Sequence, residues 1–141
     1  IQSNGIPKSL LELEITETAD DQQVSKKALQ LKEEGFTLLM DDFGSGYSSL
    51  NILLETPFDV IKLDKKFIEN MMVSEKGRLI LEQVVSMANK LKLGLLAEGV
   101  ETKEQVELLK GIGCDQVQGY YYAKPMPEEE FFTLLKEQQK A

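Results

Sequence analysis

Strand-like and helix-like segments alternate along the whole of this 141-residue chain, and this alternation constrains the fold more than any other feature. Each short apolar segment precedes a stretch whose apolar residues have helical spacing, and glycine or proline marks several of the ends. The predicted strands are residues 10–16, 36–40, 60–64, 93–97 and 115–119. The predicted helices are residues 20–34, 49–55, 77–92, 103–110 and 127–138. The pattern favours one α/β domain with a parallel sheet.

Polar side chains stand at the carboxyl end of almost every predicted strand. They are Glu14 and Glu17, Asp41 and Asp42, Lys62 and Asp64, Glu98 and Glu101, and Gln118. Ligands of parallel α/β proteins bind at such strand ends, so residues distant in sequence are expected to meet at one site. For one strand taken alone, the polar residues at its end can be solvated charges on an edge strand or a buried Lys–Asp pair. Their recurrence at five strands favours a functional site.

The third predicted strand alternates between apolar and charged residues. Ile61 and Leu63 share one face, and Lys62 and Asp64 share the other. If helices cover the apolar face, Lys62 and Asp64 point toward a barrel interior. Burial of these charges is costly unless they are paired or bind a metal. We therefore expect both side chains to take part in the site.

Composition excludes several classes of function. The chain has 24 acidic and 16 basic residues, a net charge of −8 and a single arginine, Arg78, which argues against binding to duplex nucleic acid. It has no histidine, so histidine metal ligands and histidine-dependent nucleophilic catalysis are excluded. Cys114 is the only cysteine, and we expect a reducing, cytoplasmic location. No apolar segment approaches the roughly 20 residues of a membrane span, so we expect no membrane contact within this chain.

The Asp41–Asp42 pair, together with glutamates from neighbouring strands, predicts an all-oxygen cation site. Such ligands suit Mg²⁺ or Mn²⁺. Two such ions are the usual means of hydrolysing a phosphodiester, and they would also attract an anion into an acidic cleft. The glycine-containing loop that follows can equally be a plain strand-to-helix turn with Ser48 or Ser49 as the N-cap.

Gln118 is followed closely by three consecutive tyrosines, Tyr120, Tyr121 and Tyr122. This segment can provide amide and stacking contacts to a nucleotide base. Tyrosines in such a run are as often core and rim residues of the fold, and the sequence leaves the two interpretations open.

The chain resembles the EAL-type domain in five motifs that occur in order, LELEITE, DDFGSGYSSL, IKLDKKFI, AEGVET and CDQVQGYYYAKPM. The resemblance runs from about Leu10 to Phe131. It implies a (β/α)8-type, TIM-like barrel with one antiparallel strand, and a phosphodiesterase that hydrolyses the bacterial second messenger cyclic di-GMP to linear pGpG. We expect residues 1–141 to be the C-terminal portion of such a domain, a partial barrel of about the last five strand–helix units.

The resemblance also implies a role for the residues at the strand ends. Glu14 matches a metal-ligand glutamate, Asp41 the aspartate that bridges two metals, and Asp42 a ligand of the second metal. Lys62 matches the lysine that contacts the attacking water. Glu98 matches a glutamate near the metals that is a proposed general base.

Three further positions match supporting residues of the family. Glu17 matches the glutamate that holds the Asp-Asp loop in place, Asp64 the acidic residue two positions after the lysine, and Gln118 the glutamine that lines the site. Ser45 stands where the family usually has threonine.

The Glu-Ala-Leu motif that names the family has no counterpart in this chain, and neither do the arginine that follows it or the asparagine ligand. We therefore expect a two-metal site that is incomplete within residues 1–141, and an isolated chain that is inactive. Because an open half-barrel exposes two strand edges, we also expect self-association or pairing with the missing N-terminal half. The alternative function is a non-catalytic cyclic di-GMP receptor or a protein-interaction module, which a substitution in the missing motif would favour.

Overall fold

The computed structural model of the chain describes residues 5–16, 22–44, 49–114 and 116–138. A short 3-10 helix, Lys8–Leu10, precedes the first strand. The strands are β1 (Glu12–Thr16), β2 (Thr37–Phe43), β3 (Val60–Leu63), β4 (Gly94–Ala97) and β5 (Gln116–Val117). The helices are α1 (Gln22–Glu33), α2 (Ser49–Glu55), α3 (Lys65–Met72), α4 (Glu75–Lys90), α5 (Lys103–Gly111) and α6 (Glu128–Gln138).

The five strands form one parallel sheet in the order β1-β2-β3-β4-β5. Each strand therefore pairs with its sequence neighbour, and within the described residues β1 and β5 are the open edges. Sequential parallel pairing with helical connections is the arrangement of a (β/α) barrel segment. The predicted α/β fold with a parallel sheet is confirmed.

The core lies between the sheet and the helices that cover it. Leu38 and Met40 of β2, and Ile61 and Leu63 of β3, are buried. Helix α4 contributes a buried face whose members are Leu81, Val85 and Ala88. In β2 the successive residues 38–40 are all buried, which is typical of a central parallel strand covered on both faces.

Leu10 lies in the 3-10 helix instead of the predicted first strand, and β5 is only Gln116–Val117. Two further differences from the sequence prediction lie near the strand ends. Helix α3 follows β3 without a loop and was not predicted; the Asp64 carboxylate caps it by accepting hydrogen bonds from the backbone of Lys66 and Phe67. Strand β2 continues to Phe43, through a register shift and a left-handed Asp42 (φ 58°). Such a β-bulge redirects the side chains that follow it.

No helix in the described ranges combines the length and the apolar character needed to cross a bilayer. A mostly apolar groove of about 830 Å³ lies on the outer side of the sheet, between Phe43, Leu50 of α2, Phe67 of α3 and Leu79 of α4. The strand-end carboxylates described below do not line it.

Candidate active site

Lys62 is the centre of a cluster of charges at the carboxyl end of the sheet. Its side chain is buried, at 6% exposure, although it is charged. The Nζ atom lies 2.6 Å from Glu14 Oε1, 2.8 Å from Asp41 Oδ1 and 2.9 Å from Glu98 Oε1. The three carboxylates come from β1, β2 and the residue after β4. The structure thus brings these four predicted site residues together.

Asp41 provides the most buried carboxylate of this cluster. Its Oδ1 is buried, and the Lys62 ammonium lies 2.8 Å from it. This contact is among those that raise the pKa of Lys62. The ammonium therefore offsets the charge of a carboxylate that would be costly to bury alone.

The charges of the cluster do not balance. Three carboxylates and one ammonium leave a formal charge of −2 around Lys62. Burial lowers the pKa of Lys62, but its contacts with Asp41, Glu14 and Glu98 outweigh burial and raise that pKa above its ordinary value. Lys62 is consequently a permanent cation and does not act as a proton acceptor.

Glu98 is held by two donors on one oxygen. Gln118 Nε2 donates to Glu98 Oε1 at 2.6 Å, and Lys62 Nζ approaches the same atom. Gln118 is itself placed by its backbone, which donates to Ala97 O at 2.8 Å. Two contacts on Oε1 fix the orientation of the carboxylate, as expected for a residue that must meet a reactant in a defined geometry.

The remaining predicted site residues lie outside this cluster or outside the described ranges. Asp42 is exposed and adjacent to Asp41. The Asp64 carboxylate lies 2.9 and 3.2 Å from the backbone nitrogens of Lys66 and Phe67. The Asp64 carboxylate therefore caps α3, and its part in the site stays a prediction. Glu17 and Ser45 are not among the described residues, and neither is Ser48, the first alternative N-cap.

The chemistry of the cluster suits a hard cation. The candidate donors Glu14, Asp41 and Asp42 offer only carboxylate oxygens, the ligands that Mg²⁺ and Mn²⁺ prefer. Among the described residues, however, no three acidic or cysteine side chains are grouped around a common metal position. The carboxylates converge on the Lys62 ammonium instead.

A groove of about 670 Å³ adjoins Gln118. Lys65, Tyr120 and Lys124 are among its lining residues, and Lys124 Nζ lies 5.5 Å from the centroid of the Tyr120 ring. Tyr120, Tyr121 and Tyr122 are all exposed. The groove therefore offers an aromatic surface and two ammonium groups beside the charged cluster, of which the sequence analysis identified only the aromatic surface.

Sequence analysis also missed a second lysine–glutamate ion pair, which lies close to the cluster in sequence. Lys65 Nζ lies 2.5 Å from Glu101 Oε1, and the two residues are 36 positions apart, the same separation as Lys62 and Glu98. No local pattern in the sequence signals this pair, because the contact depends on how β3 and β4 pair.

Comparison with known proteins gives the family. Residues 1–125 match the family model described as the EAL domain. The cyclic di-GMP phosphodiesterase RocR of Pseudomonas aeruginosa is 41% identical over 129 residues, which are 89% of this chain and 33% of RocR. The chain spans between 16% and 33% of the length of five curated relatives that it matches.

Solved structures agree with the sequence relatives. The EAL domain of Mycobacterium smegmatis DcpA has a TM-score of 0.88 and 33% identity, over 96% of this chain and 62% of that chain. Klebsiella pneumoniae BlrP1, solved as a complex with manganese and cyclic di-GMP, has a TM-score of 0.81 and 31% identity, over 88% of this chain and 32% of that chain. This chain belongs to the EAL domain family.

Proposed function

We propose that an EAL domain containing this chain hydrolyses cyclic di-GMP to linear pGpG in a reaction that depends on Mg²⁺ or Mn²⁺. The observation that carries the proposal is the convergence of Glu14, Asp41 and Glu98 on the permanently charged Lys62. Support comes from RocR, which is named a cyclic di-GMP phosphodiesterase. The manganese and cyclic di-GMP complex of BlrP1 supports the choice of metal and substrate.

The unbalanced charge of the cluster supports dependence on a metal. A phosphodiester is an anion, and a formal charge of −2 around Lys62 repels it. We assign Glu14, Asp41 and Asp42 as the metal ligands that this chain supplies. When bound, the metal supplies Lewis-acid chemistry that activates water and offsets charge on the phosphate.

Glu98 and Lys62 have complementary roles in the proposed reaction. Glu98, oriented by Gln118 at 2.6 Å, accepts the proton of the attacking water as that water's oxygen forms a bond to phosphorus. The bond between phosphorus and the ribose 3′-oxygen breaks in the same step, and the departing 3′-oxygen takes a proton from solvent. Lys62 keeps its positive charge throughout, orients the water and stabilises the negative charge that develops on the phosphate. The groove beside Gln118 offers Tyr120 for a guanine base and the Lys124 ammonium group for a phosphate oxygen.

The same geometry supports low activity for residues 1–141 on their own. The Glu-Ala-Leu glutamate and the asparagine ligand that the family resemblance implies have no counterpart in this chain, so we infer that further ligands come from the rest of the domain. The open strand edges, and exposed Phe131, Phe132 and Leu135 on α6, support pairing with the rest of an EAL barrel or with a second copy. A buried Cys114 as the only cysteine supports a reducing, cytoplasmic location.

The test is formation of pGpG from cyclic di-GMP with Mn²⁺. It compares a protein that carries the whole EAL domain, here called the complete protein, with residues 1–141 alone. We expect turnover by the complete protein and little or none by the isolated chain. Asp41→Asn in the complete protein should lower the rate by about 100-fold or more. Glu33 is an exposed residue of α1, and the control variant Glu33→Gln should leave the rate unchanged. A complete protein that binds cyclic di-GMP without forming pGpG would be a receptor, and the proposal would be wrong.

A further inference from the structure

The segment of residues 98–101 that follows β4, here called the Glu98 loop, is held by its backbone on two sides. Glu98 N donates to Leu63 O of β3 at 3.0 Å. On the other side, Val100 N donates to Gln118 O at 3.1 Å, and Tyr121 N donates to Val100 O at 3.0 Å. These bonds attach the ends of the loop to β3 and to the segment after β5.

On a third side of the Glu98 loop, the side chain of Lys65 packs on Gly99. Gly99 has a left-handed backbone (φ 64°), and a Cβ atom built there would lie 2.6 Å from Cβ, Cγ and Cδ of Lys65. The aliphatic stem of Lys65 therefore lies directly on Gly99, where no side chain of the loop intervenes. Beyond the stem, Lys65 Nζ lies 2.5 Å from Glu101 Oε1.

Both partners of this contact lie next to capped helix starts. Lys65 is the first residue of α3, and the Asp64 carboxylate caps that helix end. Glu101 is anchored on its own side, because its backbone nitrogen donates to Gln105 Oε1 at 2.7 Å. The ion pair therefore connects the start of α3 to the start of α5 across the Glu98 loop.

We propose that Lys65 is a positioning residue, which holds the Glu98 loop so that Glu98 stays oriented on Lys62 and Gln118. Its catalytic consequence rests on the proposed function, whereas its effect on the loop does not. The ion pair is partly exposed, and such pairs contribute little to global stability. Its effect is instead local, since a small displacement of a reacting group lowers a rate strongly.

The first test is amide hydrogen exchange of the Glu98 loop in residues 1–141. Lys65→Met removes the charge and keeps most of the stem, Lys65→Ala removes both, and Lys65→Arg keeps both. Lys66→Met is the matched control, because Lys66 is the exposed neighbour on the same helix. We expect exchange of residues 98–101 to rise about two- to five-fold in Lys65→Met, to rise further in Lys65→Ala, and to stay at the wild-type rate in Lys65→Arg.

The second test separates positioning from substrate binding in the complete protein. We expect Lys65→Ala to lower kcat about ten-fold with KM within about two-fold, and Lys65→Arg to restore kcat. A rise in KM at unchanged kcat would make Lys65 a substrate contact in the adjoining groove and would overturn the proposal.

The two tests distinguish this inference from the proposed function. If the wild-type complete protein forms no pGpG, the proposed function fails, and hydrogen exchange alone decides the role of Lys65. If exchange of residues 98–101 in Lys65→Met and Lys65→Ala matches that in Lys66→Met, Lys65 does not hold the loop and the inference is wrong.

Discussion

Removal of the Lys62 ammonium should destabilise the chain, because three carboxylates would lose their shared counter-ion. Lys62→Met keeps an unbranched apolar stem in the same buried space but changes the formal charge of the cluster from −2 to −3. Loss of one partner from a fully buried ion pair costs about 3–5 kcal/mol. The carboxylates here are partly solvated, with Glu14 at 49%, Asp41 at 19% and Glu98 at 20% exposure. Solvent screening therefore reduces the expected loss to about 2–3 kcal/mol.

The pH dependence of this loss has a definite sign. The pKa of Lys62 in the folded chain lies above the ordinary lysine pKa of 10.5, so the folded state retains its proton at a higher pH than the unfolded state does. The stabilisation is therefore fully present below 10.5 and is lost as the pH rises through the folded-state pKa. Between about pH 7 and pH 9 the difference between wild type and variant should be constant.

The assay is urea denaturation of wild type, Lys62→Met and Lys26→Met, in which the last variant removes an exposed lysine of α1. We expect Lys26→Met to match wild type within about 0.5 kcal/mol. The reasoning is refuted if Lys62→Met also falls within that range, or if its deficit shrinks as the pH rises from about 7 to 9.

Three smaller perturbations test the elements that position the site. Asp64→Ala should cost about 1 kcal/mol in urea denaturation, because it removes the cap of α3; no change would contradict the capping role. Gly119→Ala should cost about 3 kcal/mol, since a Cβ atom there would overlap the backbone of Val100; a wild-type melting curve would contradict that close approach. Leu81→Ala should cost about 3 kcal/mol, because Leu81 is wholly buried in the core, and calorimetry that finds less than about 1 kcal/mol would contradict its packing.

The strands were largely predictable because their apolar residues are bounded by polar ones. Strands β3 and β4 agree with the prediction to within one residue at each end. Strand β2 was predicted to end at Met40 and continues to Phe43. The extension contains the left-handed Asp42 and a register shift against β3. Both depend on pairing between strands, which the pattern of residues within one strand does not reveal.

Helix α3 was missed for a related reason. Asp64 follows an alternating strand and was assigned to that alternation, although aspartate is also a strong N-cap. Its carboxylate bonds to the backbone of α3 show that the helix begins at once, with no loop residues to signal it. From the sequence, Asp64 can be either the last residue of a strand or the N-cap of a helix. The tertiary structure shows that it is the N-cap.

The convergence of Glu14, Asp41 and Glu98 was predictable from strand order, because the carboxyl ends of neighbouring parallel strands lie side by side. Their common contact with Lys62 was not predictable, since it depends on side-chain reach across three strands. The Lys65–Glu101 pair was missed because α3 was not predicted and a charged residue taken alone is usually solvated.

The most direct test of the central claim is the effect of Glu98→Gln on turnover and on ligand affinity in the complete protein with Mn²⁺. The substitution keeps the size of the side chain and removes its capacity to accept a proton. We expect the rate of pGpG formation to fall by about 100-fold or more, with the Kd for cyclic di-GMP within about three-fold of wild type. An unchanged rate, or a loss of affinity that accounts for the whole loss of rate, would contradict the proposed role of Glu98 in the chemical step.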